Sequence, residues 1–169
     1  AYISGLKIET DAFQKRVFAT LELMDGEGAE LQCQIFDGEK VIQEQSVRTK
    51  GKAVTLAFLL PDAQLWTPEN PHLYDMKLFL KKNGQTDELY SYFGIRTVEW
   101  KNHAFYLNGK PVFQRLILDQ GFYPEGIYTA PTDQDLIHDI ELSKELGFNG
   151  ARLHEKVFEE RFLYHADRL

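Results

Sequence analysis

One cysteine, two methionines and two tryptophans in 169 residues leave little sulfur or redox chemistry to build with. Cys33 cannot close an internal disulfide. It lies in the strand-like "ELQCQIF" with no neighbour that would lower its pKa, which marks a buried structural thiol and leaves the redox compartment open. Long apolar runs are missing too: "AVTLAFLL" and "PVFQRLIL" are far too short to span a bilayer. There is no tail of like charge, and the net charge of −7 argues against nucleic acid or an anionic membrane as partner. No P-loop, GxGxxG, GxSxG or HExxH occurs. Histidines 72, 103, 138, 154 and 165 lack ligand spacing with cysteines or carboxylates, so neither a metal nor a cofactor is expected.

What is present is a globular composition, 43% hydrophobic and 13% aromatic. Alternation of period two dominates the first part. "RVFATLELM" puts Val17, Ala19, Leu21 and Leu23 on one face, and "ELQCQIF" does the same for Leu31, Cys33 and Ile35. Turn chemistry at "DGEG", "DG", "KG" and "NG" divides about seven strands: 2–9, 15–24, 30–37, 40–48, 52–60, 73–82 and 86–95. Seven short strands at this spacing predict an antiparallel immunoglobulin-like β-sandwich over 1–98, without the antibody disulfide. The three prolines of "LPDAQLWTPENPHLY" forbid a ladder strand and predict a longer crossing between sheets. Trp66 is expected to plug one end of the core, with sugar stacking as its functional alternative. Tyr74 stands where a tyrosine corner would sit.

After "YFGIRTVEW" the pattern changes. "AFYLNGKPVF" reads as a hairpin turning at Asn108-Gly109. An apolar strand at 116–118 follows. A helix at 132–146 comes next, with Thr132 as N-cap, Asp135 completing a capping box and Gly147 as its stop. A strand at 148–153 and an amphipathic helix at 157–169 complete a βαβα unit. Parallel strands need cover on both faces, so 99–169 is expected to be the opening of a larger, truncated α/β domain.

Asp133, Asp135, Asp139, Glu141 and Glu145 read as a solvated helix face, and no carboxylate pair stands out. Chemistry is therefore sought by position. In a parallel barrel, functional side chains gather at the carboxyl ends of strands. Strand 116–118 runs into Asp119 and Gln120, and strand 148–153 ends in Arg152 and His154. Arg152 there is either half of a structural ion pair or the orienter of a catalytic acid.

Four segments in fixed order carry a resemblance: "LWTPENPHLYDMKLFL", "YFGIRTVEW", "FYLNGKPVFQRLILDQGFYPEG" and "DLIHDIELSKELGFNGARLHEK…FLYHADRL". Together they resemble the retaining glycoside hydrolases of family 2, the β-galactosidase, β-glucuronidase and β-mannosidase group. The resemblance runs from about residue 60 onward. It implies a sugar-binding jelly roll, then an immunoglobulin-like sandwich, then a (β/α)8 catalytic barrel. This chain would be the sandwich followed by a truncated βαβα segment of that barrel. The family uses two glutamates ~5–5.5 Å apart as nucleophile and acid/base, and both are expected beyond Leu169, so the chain alone is expected to be inactive. Arg152 in "NGARLHEK" matches the family's Arg after "N-A-V", and His154 is displaced by one residue from a family His. Leu118-Asp119-Gln120-Gly121 replaces the usual "N-R-H-E", so Gln120 stands where relatives carry a substrate-contacting His. Asp119, Gln120, Arg152 and His154 are the expected substrate-binding residues.

The partner so implied is a β-linked glycan or glycoside in a full-length parent. Unpaired apolar faces of the tail predict either a homodimer contact, which is slightly favoured, or a tail with weaker hydrogen-exchange protection than the sandwich, and a periplasmic or secreted bacterial location is favoured over a cytoplasmic one. The competing readings are a non-catalytic carbohydrate-binding module and an immunoglobulin-like interaction domain.

Overall fold

The computed structural model describes residues 1–169, which form two compact units. The first comprises residues 1–66 and 72–97. Its seven strands are β1 (Tyr2–Asp11), β2 (Arg16–Met24), β3 (Glu30–Asp37), β4 (Lys40–Arg48), β5 (Ala53–Leu59), β6 (Tyr74–Lys82) and β7 (Gln85–Phe93). They make two antiparallel sheets, ordered β1-β2-β5 and β4-β3-β6-β7. This is the expected immunoglobulin-like sandwich.

Alternation decides which face goes inside. Val17, Ala19, Leu21 and Leu23 of β2 are buried, as are Leu31, Cys33 and Ile35 of β3 and Tyr74, Met76, Leu78 and Leu80 of β6. A slip of one residue would turn each of these sets to solvent, so the pattern itself fixes the register. Burial pushes the Cys33 thiol up to about 12, which keeps it protonated and inert. Asn83 and Gly84 both take positive φ, 51° and 76°, as a two-residue turn between β6 and β7 requires.

The proline-rich crossing is anchored at two points. The Gln64 amide donates to the Tyr74 hydroxyl at 2.8 Å, the contact expected of a tyrosine corner. Trp66 N–H donates to the Ile95 carbonyl at 2.9 Å. The Trp66 side chain is half-buried rather than a core plug. Its ring lies against Gly94, where a Cβ would approach it to 2.9 Å, and beneath the Arg96 guanidinium at 4.5 Å. The cation covers the face that the core leaves open.

The second unit comprises residues 67–71 and 98–169. It begins with an antiparallel ribbon of β8 (Val98–Lys101), β9 (Ala104–Leu107) and β10 (Lys110–Pro111). The Asn108-Gly109 hairpin forms as expected, with φ of 52° and 78°. Strand β8 was not expected; it is joined to β9 by Asn102-His103, also with both φ positive. Then come β11 (Leu116–Asp119), α1 (Asp133–Glu145), β12 (Gly150–Leu153) and α2 (Glu160–Arg168). β11 and β12 pair in parallel. Thr132 and Asp135 form the capping box of α1, and Gly147 beyond its end has φ 88°. Tyr123, Ala130, Leu136, Phe158 and Phe162 form the core between these elements.

Helix α2 starts at Glu160, later than its apolar spacing suggests. Glu155 adopts a left-handed φ of 57°, and the Glu159 carboxylate is taken by Arg161 at 2.6 Å and by the Ala130 amide at 3.3 Å. These contacts hold 154–159 as a loop. Arg161 also reaches Asp133 at 2.7 Å and the Ala130 carbonyl at 2.9 Å, tying the starts of both helices together.

Candidate functional site at the carboxyl ends of β11 and β12

The parallel register opposes Leu116 to Gly150, Ile117 to Ala151, Leu118 to Arg152 and Asp119 to Leu153. Opposed residues share a face, and side chains alternate along each strand. Leu116, Leu118, Gly150 and Arg152 therefore share one face, which is exposed. Continued by two residues, that face carries Gln120 and His154. The structure brings these two together: Gln120 Nε2 lies 3.1 Å from His154 Nδ1. An amide nitrogen can only donate, so the contact is a hydrogen bond in the tautomer whose bare Nδ1 accepts and whose proton is on Nε2, the form it selects.

Arg152 is exposed on this face and forms no ion pair with a carboxylate; the ion pairs at the starts of this unit's helices run from Arg161 to Asp133 and Glu159 instead. Asp119 does not join the other three. It alternates to the opposite face, where its Oδ1 accepts from the Gly121 amide at 2.8 Å and its carbonyl accepts from the His154 amide at 2.8 Å. Its role is to shape the turn out of β11.

Sequence reasoning passed over the residues that build the two ends of this sheet. Asn149 pins the entry of the parallel pair: its Oδ1 accepts from the Arg115 amide at 2.8 Å and its Nδ2 donates to the Phe113 carbonyl at 2.9 Å. Lys156 Nζ donates to the Gly121 carbonyl at 3.1 Å and lies over the rings of Tyr128 and Phe158, at 4.9 and 4.8 Å. The Tyr128 hydroxyl donates to the Glu155 carbonyl at 2.7 Å. Ile127, a β-branched residue, is held at φ 56° by its two-way backbone bonding with Tyr123, both at 2.9 Å. The "FNGA" segment and the Gly121 punctuation were the only signals of this in the sequence, and neither says which side chains meet.

Below the site, the Tyr123 hydroxyl is buried without a hydrogen bond of ordinary geometry. Burial first, and then the nearby Asp139 carboxylate, push the phenol well above its usual range. Arg161 holds Asp133 and Glu159 below the usual carboxylate range through its hydrogen bonds. No group of three or more His, Cys, Asp or Glu side chains converges to hold a metal ion.

A sandwich followed along the chain by parallel βα units, with polar side chains meeting at the carboxyl ends of the strands, defines a class: an antiparallel β-sandwich joined in sequence to an α/β module. The family follows from comparison with known proteins. A family model described as glycosyl hydrolases family 2 matches residues 1–96. The chain belongs to this family. It is 30% identical over 161 residues to a putative beta-glucuronidase of Formosa agariphila, covering 90% of this chain and 19% of that protein. It is 33% identical over 110 residues to a beta-galactosidase of Thermoanaerobacterium thermosulfurigenes, covering 65% of this chain and 15% of that one. A solved glycosyl hydrolase family 2 member from Bacteroides cellulosilyticus superposes with a TM-score of 0.83 at 25% identity, over 99% of this chain and 25% of that one. The beta-D-glucuronidase of Dictyoglomus thermophilum shares the fold, with a TM-score of 0.82 at 24% identity over 98% of this chain and 28% of that one. The chain thus spans a fifth or less of the length of these two sequence relatives.

Proposed function

We propose that this chain is part of a retaining exo-β-glycosidase, in which the sandwich is the scaffold and β11-α1-β12-α2 are the first two βα units of a (β/α)8 barrel. The observation that carries the reading is the contact between Gln120 and His154 at the carboxyl ends of two parallel strands, where barrel enzymes place their substrate groups. Gln120, Arg152 and His154 share the face that would line the barrel, and they offer hydrogen bonds and a positive charge to the hydroxyl groups of a β-linked sugar. Asp119 supports them from behind by fixing the turn. The names of the relatives support galactoside or glucuronide as substrate class.

The chemistry itself would come from elsewhere in the longer polypeptide. A retaining mechanism needs two carboxyl groups ~5–5.5 Å apart flanking the glycosidic bond. Asp119 is engaged by the Gly121 amide, and it lies on the wrong face to serve as one of them. The 169-residue chain is therefore expected to show no turnover of nitrophenyl β-galactoside, glucuronide or mannoside. The full-length gene product is expected to hydrolyse at least one of them. Gln120→Ala or His154→Ala in that product should lower kcat/KM by about tenfold or more, the worth of one good hydrogen bond to substrate. A full-length product that binds oligosaccharide yet cleaves none of these aryl glycosides would favour a binding module and overturn the reading.

A further inference from the structure

We propose that Lys156 is a positioning residue: a latch that holds the loop after β11 to the loop after β12, and so fixes how Gln120 addresses His154. A lysine ammonium is strongly hydrated and on most surfaces swings free on its four-carbon stem. Lys156 is instead half-buried. Its Nζ is covered by two aromatic faces, those of Tyr128 and Phe158, and it spends a donor on the Gly121 carbonyl. The charge of Lys156 is felt at Glu159, but no carboxylate pairs with it directly. Rings and a carbonyl, not a counter-ion, hold this cation in place.

The receiving side is shaped for it. Gly121 has φ 66°, and a Cβ there would stand 2.6 Å from Nζ and 3.1 Å from the Phe158 ring. Only glycine leaves room for the ammonium to reach the carbonyl. The Gly121 amide is fixed in turn by Asp119. On the other loop the contacts close on themselves: the Tyr128 ring that Lys156 covers belongs to the side chain whose hydroxyl bonds the Glu155 carbonyl. Gln120 directly precedes Gly121, and His154 stands two residues before Lys156. The two are clamped from one side by the bond from the His154 amide to the Asp119 carbonyl, and from the other by the latch. Without the latch the ladder from Leu116 to Asp119 has no reason to fail, but the side-chain bond between Gln120 and His154 loses one of its two supports.

That the pair meets a sugar rests on the glycosidase reading above. The latch does not, and it is tested on the 169-residue chain without substrate. The probe is the ¹⁵N signals of the neutral His154 imidazole, which report the tautomer. A bond from Gln120 to Nδ1 holds the proton on Nε2. Lys156→Met keeps the stem but removes charge and donor, and the ratio of Nε2–H to Nδ1–H forms is expected to fall by about threefold or more. Lys156→Arg keeps a cation and a donor, and is expected to restore the wild-type signals. Gly121→Ala, which displaces Nζ from the other side, is expected to shift His154 as Lys156→Met does, and it serves if the Met variant fails to fold. Unchanged His154 signals in Lys156→Met or in Gly121→Ala would overturn the proposal. So would a wild-type His154 that already averages both tautomers.

Discussion

Removing a single oxygen atom measures how firmly the proline-rich crossing is held. Tyr74 opens β6 at 1% exposure, its ring stacked on Phe93 at 5.6 Å and met edge-on by His72 at 4.7 Å. Its hydroxyl accepts the Gln64 amide at 2.8 Å. Tyr74→Phe leaves both ring contacts and deletes only that acceptor. A typical hydrogen bond contributes about 0.5–1.5 kcal/mol net, and a buried donor left unpaired costs about 1–3. Gln64 is itself exposed, so water can reach its N–H in the variant, which places the expected loss at about 1–1.5 kcal/mol. For a sandwich of this size that lowers Tm by about 4–12 °C. Trp66 fluorescence in a Trp100→Phe background reports the sandwich alone, and urea titration should show a lower midpoint at unchanged slope. Tyr74→Ala, which also removes the ring, should lose about 3–5 kcal/mol. A Phe variant within about 0.3 kcal/mol of wild type would show that the crossing is held by its apolar contacts, and that the hydroxyl anchors nothing.

Two further outcomes follow from named contacts. Trp66→Ala should cost about 2–3 kcal/mol by thermal unfolding, less than a fully buried aromatic because part of its surface already faces the Arg96 guanidinium; a loss above about 4 would restore it to the core. Asp133 and Glu159 are held below the usual carboxylate range by Arg161, so their contribution is complete above the usual carboxylate range and fades as pH falls through and below it. Hydrogen-exchange protection in 133–145 and 160–168 should therefore drop at acid pH in the wild type and be nearly independent of pH in Arg161→Gln. A variant as acid-sensitive as the wild type would show that the Arg161 fork does not join the helices.

The sandwich was legible because each strand states its own buried face. Val17 to Leu23 and Tyr74 to Leu80 need no knowledge of their partners to be read as strands with one apolar side. Asn83-Gly84 and Asn108-Gly109 carry their turn chemistry in the residue names. Asn102-His103 makes an equivalent turn with a histidine in left-handed geometry, which no composition rule flags, and β8 went unseen with it. Trp66 was overrated as core because a sequence shows that a ring is large but not that a guanidinium lies on it. At the strand ends, counting places Asp119, Gln120, Arg152 and His154 at equivalent points of two successive βα units but carries no register. Only the pairing of Leu118 with Arg152 shows that three of them share a face and Asp119 does not. Lys156 was invisible for a related reason: its meaning depends on a carbonyl freed by a left-handed glycine on another loop.

The strand order also sets a timetable for folding. The turns that join β1 to β2, β3 to β4 and β6 to β7 close over a few residues, and such hairpins form in about 1–10 μs. The pairings that unite them reach much further: Cys33 must find Leu78 and Ala19 must find Leu56, and in the second unit Leu118 must find Arg152 across the whole of α1. Each of these closures spends chain entropy before any burial repays it, which moves assembly from microseconds toward milliseconds or slower. The β3–β6 seam, at the centre of the larger sheet, is thus the natural bottleneck. Substitutions at Cys33 or Leu78 should slow refolding itself, whereas changes in the β3–β4 or β6–β7 turns should act more on how fast the native sandwich comes apart.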